Sequence, residues 1–251
     1  MSLNARKALA MLAAILLTVH AGTSARADVL EAATPVANTL FFPGAGGAQH
    51  ASAILVHGYR CIEECMPAFK RYAHALNAQG IDVYFVPYYD DSDRRSLDAG
   101  TLDQKPAYLA RFKAWTGKIR AVARQVKSQQ RSDGRVALVG FSQGGRLAIA
   151  SAANNPDIEA MVVFYARLPR ADELEADITA LPPTLLLHGS NDTAVPLAHG
   201  EAIHGKVRSL GAARGMVVYP GAGHGFDFSE SSEEALDARK RVVEFIRDQM
   251  P

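Results

Sequence analysis

The chain has 251 residues, 48% of them hydrophobic and 21% charged, with a formal net charge of +1. That is enough apolar material for a sizeable core, in one large domain or two small ones. The balanced charge leaves no footprint for nucleic acid or an anionic membrane, so small neutral or modestly charged substrates remain the open class.

The predicted elements begin with a leader. Arg6 and Lys7 precede an apolar run from Ala8 to Val19, short for a membrane span, and Ala25-Arg26-Ala27 supplies a small-residue cleavage signal. Residues 1–27 therefore read as a secretory signal peptide, with an uncleaved anchor as the alternative. Residues 28–251 read as one domain, because no linker, repeat or shift of composition divides them. No second segment is long enough to span a bilayer. A soluble protein of the periplasm or the extracellular medium is expected, without stable membrane insertion and of open oligomeric state.

After a glycine-rich lead-in at Pro43 to Gly47, Ala51–His57 reads as a strand. Cys61 and Cys65 follow. Their C-x3-C spacing fits neither a redox motif nor a zinc site, and leaves a local disulfide and two free thiols both open. Pro67 to Gln79 reads as a helix closed by Gly80, Ile81–Pro87 as a strand, Asp90 to Arg95 as a charged loop, and Pro106 to Gln129 as a helix. Arg135–Val139 is a buried strand and Arg146–Ala153 a helix. Strands at Ala160–Phe164, Thr184–His188 and Met216–Tyr219 follow, with helices near Gly200 to Leu210 and over Glu233 to Gln249. Short apolar strands alternating with helices predict an α/β fold, a mostly parallel sheet covered on both faces. Ligands in such sheets bind beyond the carboxyl ends of the strands.

Between a strand and a helix lies Gly140-Phe141-Ser142-Gln143-Gly144-Gly145. This G-x-S-x-G turn reads as a nucleophile elbow that lifts the Ser142 hydroxyl out of the sheet. Serine needs a base to take its proton, and the base needs a carboxylate to orient it. On this architecture the chain order is serine, acid, histidine. Asp192, in the loop after Leu187-His188, is the candidate acid, and His224, set among glycines in Tyr219-Pro220-Gly221-Ala222-Gly223-His224-Gly225-Phe226, the candidate base. Asp227 is a rival acid but follows the histidine. Among the other histidines, His57 reads as architectural, His188 as packed, and His74, His199 and His204 as surface residues. An oxyanion hole would draw one backbone N–H from Gln143 and a second from Tyr59, in His57-Gly58-Tyr59-Arg60.

Together His57-Gly58-Tyr59, GFSQGG around Ser142, LLLHGSNDTAVP around Asp192 and YPGAGHGF around His224 resemble an α/β-hydrolase, in particular the dienelactone hydrolase-like branch. The GFSQGG segment is also similar to the elbow of small carboxylesterases and acyl-protein thioesterases. The resemblance implies hydrolysis of small carboxylic esters through an acyl-enzyme, with no cofactor and no metal. One departure stands out. Dienelactone hydrolases proper use a cysteine nucleophile where this chain has Ser142, which favours general ester chemistry. The stretch between Phe164 and Thr184 is too short for a large lid domain. A serine peptidase or amidase would share the triad, and a non-catalytic binding protein the fold. Arg60, Arg94, Arg95 and Arg146 are the arginines nearest the site in sequence. Most read as solvated, with pairing to a substrate carboxylate open to any one of them. Trp115, Tyr88 and Tyr89 read as core rather than pocket.

Overall fold

The structure is a computed structural model that describes residues 36, 38–47, 49–104 and 106–251. The predicted signal peptide, residues 1–27, lies outside the described residues.

Seven strands form one sheet in the order β1-β3-β2-β4-β5-β6-β7. They are β1 (Leu40–Phe42), β2 (His50–Val56), β3 (Asp82–Val86), β4 (Ser132–Phe141), β5 (Ala160–Phe164), β6 (Thr184–Gly189) and β7 (Ala213–Tyr219). All pair in parallel except β1, which runs antiparallel to β3. Helices α1 (Met66–Asn77), α2 (Asp91–Asp98), α3 (Ala107–Lys127), α4 (Gln143–Ala152), α5 (Leu197–Ser209) and α6 (Glu233–Gln249) complete the described regular structure with two short 3-10 turns.

The central strands are largely apolar because both faces of the sheet are covered there: every residue of β2, β3, β5 and β6 is buried, whereas β7 at the edge is only partly covered. Helices α3 and α6 are amphipathic. In α3 the buried set Tyr108, Phe112, Trp115, Ile119, Val122 and Val126 recurs at helical spacing, and α6 buries Ala235, Ala238, Val242, Phe245 and Ile246. The Ser232 hydroxyl caps α6 by accepting from Ala235 N at 3.3 Å.

Two elements depart from the sequence expectation. Asp90 to Arg95, expected as a charged loop, instead begins α2, whose start is a reciprocal capping box between Asp90 and Asp93. This helix has almost no apolar face. It is held through Asp93, which accepts from Trp115 Nε1 at 2.7 Å and pairs with Arg111 Nε at 3.1 Å. The glycine-rich lead-in is preceded by β1, which covers the edge of β3.

The register sets up the site. Val56 lies opposite Gly140, Phe141 opposite Phe164, Phe164 opposite Leu187, and Gly189 opposite Tyr219. Five successive strand ends are thus level, and the loops that follow emerge along one edge of the sheet. Between β5 and β6 the chain makes only one 3-10 turn (Ala171–Glu173), with no lid domain.

Candidate active site

Ser142 sits between β4 and α4 with φ 54° and ψ −114°, a strained conformation for a residue with a side chain. The surrounding glycines make the turn possible. A Cβ on Gly140 would lie 2.5 Å from Gly144 O and 2.7 Å from Gly145 Cα, and one on Gly144 would run into the carbonyl oxygens of Val56 and His57. Strand β2 and helix α4 therefore touch backbone to backbone, beside the serine hydroxyl.

The loops after β6 and β7 bring the other two candidates to it. Ser142 Oγ lies 3.0 Å from His224 Nε2, and His224 Nδ1 lies 2.7 Å from Asp192 Oδ2. A carboxylate can only accept, so Nδ1 carries the proton and Nε2 is free to accept from the serine. Asp192 is buried, and its second oxygen accepts from Ala194 N at 2.9 Å and Val195 N at 2.8 Å. These bonds turn the loop so that Oδ2 faces the imidazole. Below it, buried His188 donates from Nε2 to Val195 O at 2.8 Å, and burial pushes its pKa down. His188 is therefore a packed ring beneath the Asp192 loop, with Nε2 also 3.5 Å from Asp192 Oδ2.

Gln143 opens α4, where the first N–H groups have no intrahelical acceptor. Its side-chain Oε1 accepts from the Tyr89 hydroxyl at 3.0 Å. Tyr59 faces the same cavity, and its N–H has no backbone acceptor among the described residues. Cys61 and Cys65, next along the chain, form a disulfide ahead of α1 with Cα atoms 5.2 Å apart.

Asp227 takes a different part. It is fully buried and accepts from Tyr165 OH at 2.6 Å and Tyr72 OH at 3.0 Å. Burial pushes its pKa up to about 6, against the pull of those hydroxyls. Tyr165 follows β5 at φ 33°, and its ring centre is 4.5 Å from that of His224. Asp227 thus braces the loop of His224 from beneath.

The cavity over Ser142 is about 420 Å³, walled by Tyr59, Tyr108, Arg146, Ala166, Arg167 and Val195. Sequence reasoning missed most of this wall. Arg146, expected as solvated, is buried and paired with Glu173, while its guanidinium lies over the Phe112 ring at 5.2 Å. Glu173 also receives Arg170 N at 2.9 Å, so one buried carboxylate pins the 3-10 turn of the wall to α4. Arg60 and Arg94 are engaged elsewhere, with Leu97 O and Glu63. Trp115, Tyr88 and Tyr89 are buried in an aromatic cluster of the core. Among the described residues no group of His, Cys, Asp and Glu is placed to hold a metal ion.

Residues 82–250 match the family model described as the dienelactone hydrolase family. The chain belongs to the dienelactone hydrolase family. A protein of Yersinia pestis assigned as a carboxymethylenebutenolidase is 34% identical over 123 residues, which cover 45% of this chain and 46% of that protein. One of Methylorubrum extorquens with the same assignment is 35% identical over 126 residues, covering 45% and 43%. The chain thus spans less than half the length of these curated relatives. Among solved structures, a protein of Klebsiella pneumoniae assigned as a dienelactone hydrolase superposes with a TM-score of 0.65 at 22% identity, covering 83% of this chain and 92% of the other. Esterase 2 of Thermogutta terrifontis, phosphoramylated by tabun, superposes at 0.66 and 15% identity, covering 85% and 90%. At these identities the structural likeness is one of fold. This member of the dienelactone hydrolase family carries serine at the elbow.

Proposed function

We propose that this protein is a serine hydrolase of small carboxylic esters, with Ser142, His224 and Asp192 as catalytic triad. The observation that carries the reading is the unbroken line from Asp192 to His224 to Ser142, at 2.7 and 3.0 Å, opening into a cavity of small-molecule size. In this reading Ser142 Oγ attacks the ester carbonyl while His224 Nε2 takes its proton. Asp192 holds the imidazole in the required tautomer and stabilises the imidazolium. The N–H groups of Gln143 and Tyr59 receive the oxyanion, helped by the positive end of α4. His224 then protonates the departing alcohol. Water activated by the same ring releases the acid and restores Ser142.

We also propose that residues 1–27 direct export and that the mature protein works outside the cytoplasm. The Cys61–Cys65 disulfide supports this, since such bonds persist in oxidising compartments.

The test is reaction with a fluorophosphonate followed by peptide mapping, with nitrophenyl esters and matched anilides assayed alongside. A single adduct on Ser142 and hydrolysis of esters, abolished in folded Ser142→Ala and His224→Ala, is the expected result. Esterase activity surviving in either folded variant rules out the triad, and faster cleavage of the anilides turns the assignment to an amidase.

A further inference from the structure

His57 directly follows β2, beside the proposed oxyanion loop, and takes no part in the mechanism above. It is fully buried, stacked on Tyr88 with ring centres 3.9 Å apart and planes 6° from parallel. Its Nδ1 lies 2.8 Å from Gly58 O. A carbonyl oxygen only accepts, so Nδ1 carries the proton and donates. Its Nε2 is buried with no hydrogen-bond partner among the described residues. Burial drives the pKa down to about 3, which leaves the ring neutral near neutral pH. The residue is clamped from its other end as well, because Tyr88 OH donates to His57 O at 3.1 Å.

The acceptor of the Nδ1 bond matters. Gly58 C=O and Tyr59 N–H belong to one planar trans peptide and point in opposite directions. Whatever holds the carbonyl sets the direction of the amide proton. Gly58 itself lies against the nucleophile, since a Cβ on it would meet Ser142 Cβ at 3.4 Å and Phe141 O at 3.3 Å.

We propose that His57 is a positioning residue, whose Nδ1–H bond to Gly58 O orients the Gly58–Tyr59 peptide so that the Tyr59 N–H faces the oxyanion formed at Ser142. This rests on the reading of Ser142 as nucleophile and Tyr59 as oxyanion donor.

The full chain is tested as wild type, Ser142→Ala, His57→Asn, His57→Gln and His57→Phe, for kcat and KM on a nitrophenyl ester, inhibition by a trifluoromethyl ketone, and Tm. The asparagine amide nitrogen falls where Nδ1 was and restores the donor. Glutamine carries its amide to the Nε2 position, and phenylalanine keeps the stacked ring without a donor. Loss of an oxyanion donor costs about 10²–10³-fold in kcat, so a misdirected one is expected to cost roughly 10–100-fold in the Gln and Phe variants, with KM nearly unchanged. The ketone, which forms an oxyanion on Ser142, weakens in parallel. The Asn variant keeps at least about tenfold more kcat than either, although its smaller side chain lowers Tm. A Gln or Phe variant within about threefold of wild type, or activity that simply follows Tm across the set, overturns the proposal while leaving Ser142 standing. Should one of those two variants fail to fold, the other carries the comparison with Asn. Hydrolysis that persists in Ser142→Ala overturns both readings.

Discussion

The buried carboxylate beneath the histidine loop yields a prediction with a worked magnitude. Asp227 has a folded pKa of about 6 against an ordinary 3.8, because burial outweighs the two tyrosine hydroxyls that hydrogen-bond it. The nearby Arg239 does not neutralise it directly: its guanidinium donates to the carbonyls of Ser229 and Glu230 at 3.0 and 2.8 Å. Between pH 3.8 and 6 the folded chain keeps a proton here that the unfolded chain has lost, so this residue lowers stability as pH rises through that window. The shift of about two units, at about 1.4 kcal/mol each, is worth about 3 kcal/mol, of which about 2–3 kcal/mol falls between pH 4 and pH 7. His57 has the opposite sign. Its pKa is depressed from 6.5 to about 3, so its contribution is present above pH 6.5 and is lost as pH falls towards 3. Comparing Asp227→Asn with wild type cancels that contribution. The asparagine fits the same site, since its oxygen accepts from Tyr165 and its amide donates to the Tyr72 oxygen. Urea unfolding at several pH values from 4 to 7 is the assay. The wild-type stability minus that of the variant should fall by about 2–3 kcal/mol as pH rises. A difference flat to within about 0.5 kcal/mol would show that Asp227 ionises normally and refute the reasoning.

Three further outcomes are expected. Asp192→Asn should keep its fold and lose roughly 10⁴-fold in kcat, because the amide favours the wrong imidazole tautomer; a loss under about tenfold would remove Asp192 from the triad. Gly144→Ala should destabilise by at least about 3 kcal/mol in chemical denaturation, because its Cβ meets the Val56 and His57 carbonyls and neither backbone can retreat. Replacing both Cys61 and Cys65 by serine should cost no more than about 2 kcal/mol, since the loop they close is very short; a larger loss of folding free energy would mean the bond constrains more than its own loop.

What was legible in the sequence is what the chain dictates locally. A strand covered by helices must be largely apolar, so six of the seven strands announce themselves as short apolar runs, and the elbow is marked by glycines that nothing larger could replace. The three-residue β1 is below the length at which any period is visible, and its existence depends on β3 offering an edge. Helix α2 reads as a loop because its apolar content is nearly nil. The capping box Asp90–Asp93 was there to be seen, but what holds the helix is Asp93 reaching Trp115 and Arg111, residues about twenty positions away. The chemistry of the cavity wall is less legible still, for the same reason. Arg146 looks like a surface charge four residues past Ser142 until Glu173, 27 residues on, is seen to meet it. A buried ion pair of this kind contributes little net stability, since desolvating both groups offsets most of their attraction. Its effect is better described as geometric: it ties the turn after β5, and with it the wall of the cavity, to the helix that begins at the candidate nucleophile.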